Sequence, residues 1–557
     1  MRQAANEMAD TKKTTRLRTA FSDSLDLAGC KPAEPSNEKS EHFNLKLPED
    51  TPQRVPRWAT LEARAKAMQI QGVPSQKGAV AHSARAQDDL EITRYAARAL
   101  KRAYEAAVKS ELRTLVLLEG PRGCGASRVA EELENRGPLV DLSIERNRRD
   151  AEASPLAFLS RYSAVSSVVL LSAHLSPKLL CFVLERAGTP KTFDLGAKVP
   201  AVIVAVLPSL PLEAAALPAA ASPGPGFRQV RIRTLTEAEI EGAAPTQLER
   251  LERLAAGDTP ETAGLVIGEP PTICVEKDGE VRPMNRFRDI LVRAMRGGYP
   301  NGRIGTADDR HDFFHDLIRY TSVTDLPTLS RIRDPIAMRR VYRMVAALSG
   351  EKVKAIKVGD IIGMRRQMVK NCIDALELLR LVEEQPAWSG VSRFERAVRK
   401  PLFRITDSGW LCGLLGFCWT NPDALGPEHG PIVRRLLNGW VWTQLAAFTD
   451  NDPQRTLTHF ALRNGPAVPL VIENRAERTF IAASTTPDAF ARTEDFEPMA
   501  RFAALLSETP EYADWRLAAL VFTTGDSFEP MPEATTPDVH GLSVFRAWSV
   551  PMSVLWH

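Results

Sequence analysis

The chain has 557 residues, which at ~150 residues per domain suggests about three to four domains. Its 72 Lys and Arg against 69 Asp and Glu leave a net charge of +3 that selects no partner, and 44% apolar residues suffice for real cores, so disorder is confined to local segments. Seven cysteines without a C-x-x-C pair exclude a disulfide scaffold and a zinc ribbon, and fit reduced thiols in a cytoplasm.

The opening residues carry charge but no apolar segment of the kind a secretory signal needs. Residues 1–84 are rich in Ser, Pro, Glu, Lys and Gln without an apolar period, which predicts a mostly disordered segment with a short helix near Trp58 and Leu61. From Asp88 the run DDLEITRYAARALKRAYEAAVKS predicts a helix, acids first and bases last, matching the macrodipole. RTLVLLEG follows as a buried strand entering a glycine loop, and SRVAEELENRG as a helix stopped by Gly137. Two more apolar runs, Val168 to Leu171 and Ala201 to Leu207, give strands alternating with helices, the pattern of a parallel α/β sheet. The apolar stretch from Val199 is interrupted by Pro200, Pro208, Pro211, Pro218 and Glu213, so no membrane span is expected there. An Ala/Pro/Gly loop covers 214–226, helices dominate 309–416, and β-rich runs after Gly430 (THFALR, VPLVIEN, TFIAAS, LAALVFTTG, VFRAWSV) predict a second α/β domain.

The loop Gly120-Pro121-Arg122-Gly123-Cys124-Gly125-Ala126-Ser127 matches the phosphate-cradling pattern G-x-x-x-x-G-K-S/T except that the lysine is Ala126. Backbone N–H groups and a helix N-terminus would still face phosphate, but the compact cation that neutralises the β/γ oxygens is missing, and no lysine occurs between Glu111 and Pro177. Arg122 and Arg128 are the nearby cations, and Arg128 is the one that could rescue an active ATPase. The second strand, Val168 to Leu171, ends in Ser172-Ala173 rather than Asp-Glu, leaving Mg²⁺ without its usual acids. His174 is expected to be an ordinary surface or cap histidine rather than a substitute ligand. ATP or ADP remains the expected ligand class for Gly120, Pro121, Arg122, Gly123, Cys124, Gly125 and Ser127.

VGDIIG, a turn at Gly363, and MRRQMVKNCIDALELLRLVEEQPAW read as helix–turn–helix with a buried face at Val369, Cys372, Ile373 and Leu376. Arg365, Arg366 and Lys370 fall early in the second helix, where cations meet phosphates or guanine edges, and a wing would run through SRFERAVRK. Residues 331–400 hold 16 Lys and Arg and 8 Asp and Glu, net +8, whereas 401–557 hold 11 Arg and 18 acids, net −7. The segment therefore serves either as a rigid lid or interaction surface, or as a DNA contact.

From about residue 85 onward the chain resembles a prokaryotic family of predicted AAA-superfamily ATPases with a C-terminal domain of unknown function. The phrases that carry this, in order, are GPRGCGAS, HLSPKLLCFVLERAG, VRIRTLTEAEI, SVTDLPTL, KPLFRITDSGWLCGLLG with Asp407 and Gly409, and the closing run from DFEPMARFAALL to FRAWSVPMSVLW. The resemblance implies a P-loop ATPase-like domain at 85–244, a helical lid and linker at 245–330, a winged helix at 331–416 and a restriction-endonuclease-like α/β domain at 417–557. It also implies losses. The family's P-loop lysine falls on Ala126 and its Asp-Glu on Ser172-Ala173. The nuclease-like carboxylates fall on Asn438, on Ala467-Val468-Pro469 and near Ile481-Ala482-Ala483, and no lysine follows Lys400. Glu473, Asp488, Glu494 and Asp495 stay as acids for a rebuilt metal site. The expectation is a non-catalytic scaffold or regulator with no catalytic residues and no metal, working through a protein partner or homo-oligomer. A residual nucleotide switch and a DNA-binding regulator are the alternatives.

Overall fold

The computed structural model describes residues 94–193, 198–217, 224–243, 247–268, 274–277, 280–283, 286–303, 307–332, 334–388, 390, 400–415, 430–462, 467–512, 514–531 and 545–556. The expectations for 1–84, for the start of the first helix and for the wing up to Arg399 lie outside these residues.

The first unit opens with α1 (Tyr95–Lys109), β1 (Thr114–Glu119), α2 (Ala126–Glu131), β2 (Leu139–Asp141) and β3 (Ser167–Leu171). It continues with α3 (Pro177–Leu184), β4 (Val202–Leu207) and β5 (Phe227–Arg231). The strands form one parallel sheet in the order β2-β3-β4-β1-β5. Every residue of β1, β3 and β4 is buried, because helices cover both faces; that is why these strands read as unbroken apolar runs. The order, and a glycine loop leaving β1 for a helix, are consistent with a P-loop NTPase fold. Two local expectations are corrected. α2 ends at Glu131, well before Gly137. Gly137 stops nothing: a Cβ there would stand 1.6 Å from the Ser167 carbonyl oxygen, so glycine lets two backbones approach.

The middle of the chain holds α4 (Glu237–Ile240), α5 (Gln247–Ala256), a hairpin of β6 (Cys274–Lys277) and β7 (Glu280–Pro283), α6 (Arg286–Arg296) and α7 (Ala307–Tyr320). A π-helical turn, Thr321–Asp325, extends α7. Then come α8 (Pro335–Ala347), α9 (Ala355–Ile362), α10 (Arg366–Leu378) and an antiparallel pair, β8 (Val382–Gln385) with β9 (Leu402–Ile405). Gly363 ends α9 at φ +69°, and Val369, Cys372, Ile373 and Leu376 of α10 are buried as the spacing predicts.

The last unit runs α11 (Ser408–Leu415), α12 (Gly430–Thr449), β10 (Arg455–Ala461), β11 (Ala467–Asn474), β12 (Thr479–Thr485), α13 (Thr493–Ser507), β13 (Arg516–Thr523), β14 (Glu529–Pro530) and β15 (Phe545–Pro551). Its sheet order is β10-β11-β12-β13-β15-β14, antiparallel through β12 and parallel across β12-β13-β15. α5 belongs physically to this sheet, since its Glu252 accepts from Arg455 Nη2 at 2.7 Å and from Asn474 Nδ2 at 3.1 Å. One core runs from α6–α10 through Trp410 and Trp440 to Trp556, so the helical middle and the last sheet pack as a continuous body. Among the described residues no helix is long and apolar enough to cross a membrane.

Candidate functional site

The loop Gly120–Gly125 leaves β1 and turns into α2. Gly125 caps α2 at φ +93°, a left-handed conformation glycine adopts without strain, and the Cys124 N–H donates back to Pro121 O at 3.2 Å. Ser127 is exposed and Ala126 half-buried at the lysine position.

What fills the space around the loop is not what the sequence suggested. Arg128 turns away to Glu132 at 2.9 Å with 76% of its side chain exposed, so it does not stand in for the lysine. Arg94, ahead of α1, comes instead. It is buried, and donates from Nη1 to Cys124 O at 2.6 Å and from Nη2 to Arg233 O at 2.5 Å. Its charge meets the buried Glu239 carboxylate, Nε to Oε1 3.6 Å, while its Nη atoms brace the two main-chain carbonyls. No motif flagged it, because nothing in its neighbourhood along the chain distinguishes it from the other arginines of that helix.

Arg122 makes the central contact. Its Nε and Nη2 grip the two oxygens of Asp325 at 2.7 Å each, in the bidentate geometry that makes such pairs strong. The guanidinium also lies over the Tyr320 ring at 4.8 Å. Asp325 Oδ1 meets His174 Nε2 at 2.9 Å, and both side chains are buried. The expectation of a surface histidine is therefore wrong: the short turn after β3 swings His174 inward, where burial and Asp325 fix it. Burial pushes the Asp325 carboxyl up, but the Arg122 guanidinium and the His174 bond outweigh it and hold it below the usual carboxylate range. Burial pushes the His174 imidazole down, and because an ionised carboxylate can only accept, Nε2 is the donor to Asp325. Its Nδ1 has no partner among the described residues. A carboxylate thus does stand beside the end of β3, but it comes from the π-helical turn and is already neutralised by the loop's own arginine.

The same helical layer lies against the loop. A Cβ built on Gly123 would stand 3.7 Å from the Tyr299 ring and 3.8 Å from Leu317 Cδ1. From the other side the α10–β8 region docks on the sheet: Arg380 Nη2 meets Glu119 Oε2 at 2.5 Å, and Arg233 bridges Asp450 at 2.7 Å and Glu383 at 2.8 Å. A crevice lined by Gly120, Pro121, Arg231, Arg233, Arg380 and Glu383 remains, with about 10 Å³ of accessible space, room for roughly one water.

In the last unit Asn438 accepts from the buried Arg404 Nη1 and reaches Thr485 Oγ1 at 3.4 Å. Arg404 also donates from Nε to Gln385 Oε1 at 2.8 Å and from Nη2 to Pro469 O at 3.3 Å. It has no carboxylate partner among the described residues, and burial pushes its guanidinium down to about 9. Ile481, Ala482 and Ala483 are buried in β12. Of the remaining acids, Glu473 is taken by Trp388 Nε1 at 3.1 Å and Arg475 Nε at 3.0 Å, and Asp495 by the Arg492 N–H at 2.9 Å. Asp488 lies 3.5 Å from Arg492 Nη2, and Glu494 lies 3.5 Å from Arg492 Nη1. Among the described residues no three His, Cys, Asp or Glu side chains gather as a metal site. Asp407 caps α11 and accepts the Gly298 N–H at 2.7 Å, which gives the Asp-x-Gly phrase a packing role.

A family model described as a domain of unknown function (DUF8612) matches residues 287–420, from the start of α6 into the segment after α11. No curated protein matches the chain. Similar solved structures include a point mutant of RuvB from Thermotoga maritima, at 13% identity over 52% of this chain and 89% of that one, TM-score 0.24. A STAND signal-transduction ATPase with a tetratricopeptide-repeat sensor from Pyrococcus horikoshii follows at 8% identity, 62% and 47% coverage and TM-score 0.17; the chain spans about half of it. Drosophila ORC bound to DNA shares 10% identity over 65% of this chain and 100% of that one, TM-score 0.22. At such scores the overlap carries no weight for function, and the P-loop character rests on strand order and loop geometry.

Proposed function

We propose that this chain is a non-catalytic scaffold or regulator built on a P-loop ATPase frame. The observation that carries it is the Arg122–Asp325–His174 cluster. The acid next to the end of β3 is spent on an arginine of the loop rather than held for Mg²⁺, and Ala126 offers no charge to a γ-phosphate. The decisive measurement is ATP turnover by the purified chain with Mg²⁺. Turnover of about one per second, within the usual enzyme range, overturns the proposal.

A residual nucleotide switch has its own support in the retained glycine geometry. ATP or ADP would be held by backbone N–H groups of Gly123, Gly125 and Ser127 after the Arg122–Asp325 pair parts. Ligand at 100 times its Kd stabilises by ~2.7 kcal/mol, so a thermal-shift titration reads it directly. The same titration on an Ala126→Lys/Asp325→Asn variant asks whether the loop kept its form and lost only its charge. No shift in either protein at millimolar nucleotide removes the switch.

The α12–β10–β11–β12–α13–β13 order supports reading the last unit as nuclease-like, and on that reading Arg404 and neutral acceptors would stand where a metal and its acids would be held. A protein partner or a second copy of the chain is the expected recipient of a signal from such a scaffold.

A further inference from the structure

α10 divides into two halves with different surroundings. Its C-terminal end is tied to the P-loop sheet through Arg380 and Glu119, and the following strand through Glu383 to Arg231 of β5 and Arg233 just beyond it. Its inner face, Val369, Cys372, Ile373 and Leu376, is buried against α8 and α9. The N-terminal outer face is bare. Arg365, Arg366, Gln367, Met368, Lys370 and Asn371 are all exposed. None of Arg365, Arg366 and Lys370 has an ion-pair partner among the described residues. The neighbouring helix α8 adds exposed Arg339, Arg340 and Arg343.

Between the cations sit two amides one turn apart, Gln367 Nε2 donating to Asn371 Oδ1 at 2.8 Å. A phosphate-binding surface alone needs only charge. Amides interleaved with charge on a rigid helix supply donors and acceptors matched to base edges, above all the N6/N7 edge of adenine. A rigid helix joined to its predecessor by a short glycine turn fits the B-form major groove, whereas the A-form major groove is too narrow to admit it.

We propose that the exposed N-terminal face of α10 binds duplex DNA in the major groove, with Arg365, Arg366 and Lys370 on phosphates and Gln367 and Asn371 on base edges. The Arg380–Glu119 pair ties the other end of the helix to the P-loop sheet. The surface is independent of nucleotide, so its fate and that of the scaffold proposal are separable.

The test is fluorescence anisotropy of the full chain with a labelled duplex of mixed sequence, without nucleotide, across about 50–300 mM NaCl. If three cations each meet one phosphate, log K falls against log salt with a slope of about −2.7. Arg365→Ala/Arg366→Ala/Lys370→Ala flattens that slope and weakens binding at least about tenfold near 100 mM salt. Gln367→Ala/Asn371→Ala leaves the slope in place but shrinks the preference among duplexes selected from a random pool, roughly 5- to 150-fold for each lost bidentate contact. Asp374→Asn, an exposed acid on the same face, tightens binding, and it settles the matter if the triple variant misfolds by near-UV circular dichroism. A salt-independent wild type, a folded triple variant that binds as well as wild type, no gain from Asp374→Asn, or competition by single-stranded RNA or polyglutamate equal to that of duplex DNA overturns the proposal.

Discussion

Replacing Asp325 with Asn is the sharpest perturbation of the loop. The carboxylate is fully buried and holds both donors of Arg122 at 2.7 Å, while Arg122 itself is only 16% exposed. An amide of the same shape keeps one acceptor but cancels the charge and leaves the guanidinium uncompensated in a low-dielectric site. Removing one partner of a buried pair typically costs ~3–5 kcal/mol, and the exposed edge of Arg122 argues for the lower end, about 3 kcal/mol. At ~2–4 °C per kcal/mol for a unit of ~150–250 residues, the melting temperature of the first unit should drop by about 6–12 °C at pH 7.5 by scanning calorimetry. A double-mutant cycle with Arg122→Met distinguishes this pair from general damage. The double variant Arg122→Met/Asp325→Asn should recover much of the loss, because it removes the uncompensated guanidinium while the amide oxygen still accepts from His174 Nε2. A loss below about 1 kcal/mol for Asp325→Asn, or strict additivity in the cycle, refutes the view that this pair locks the loop.

The other expectations are shorter. His174 has a folded-state pKa below its ordinary value, so the folded form binds fewer protons than the unfolded one in weak acid. Its contribution is complete above about pH 6.5 and declines as pH falls from there towards the folded value. Asp325, also depressed, contributes above about pH 4 and its share goes only in stronger acid. Urea titrations of wild type and His174→Gln between those limits should show the first slope in the wild type alone. Arg404→Met strands Gln385 Oε1 and Asn438 Oδ1, while Pro469 O keeps its bond from Gln385 Nε2, and should destabilise the last unit by about 2–4 kcal/mol in chemical denaturation, with Arg404→Lys recovering only part. Gly125→Ala forces a side chain into φ +93° with its Cβ 3.0 Å from Arg94 Nη1, and should cost at least about 1–2 kcal/mol by the same assay.

The sequence by itself determined the local elements whose pattern is short-range. β1, β3 and β4 are apolar without interruption because both faces are covered, and α10 repeats its buried residues at helical spacing; each signal is complete within one element. That the residue before Ser127 in the glycine loop is Ala126 and not a lysine is equally plain from the chain alone. Tertiary structure decided what occupies the loop. Asp325 lies 203 residues from Arg122, and His174 lies 151 from Asp325, so no spacing rule could join them. The same holds for Arg94 beneath Cys124 and Arg404 beside Asn438, where an isolated arginine becomes informative only once burial removes its water and one sees which acceptors replace it. Periodicity records which face of an element is dry, whereas the partner of a buried charge is chosen by the packing of distant segments, and only the folded chain brings those together.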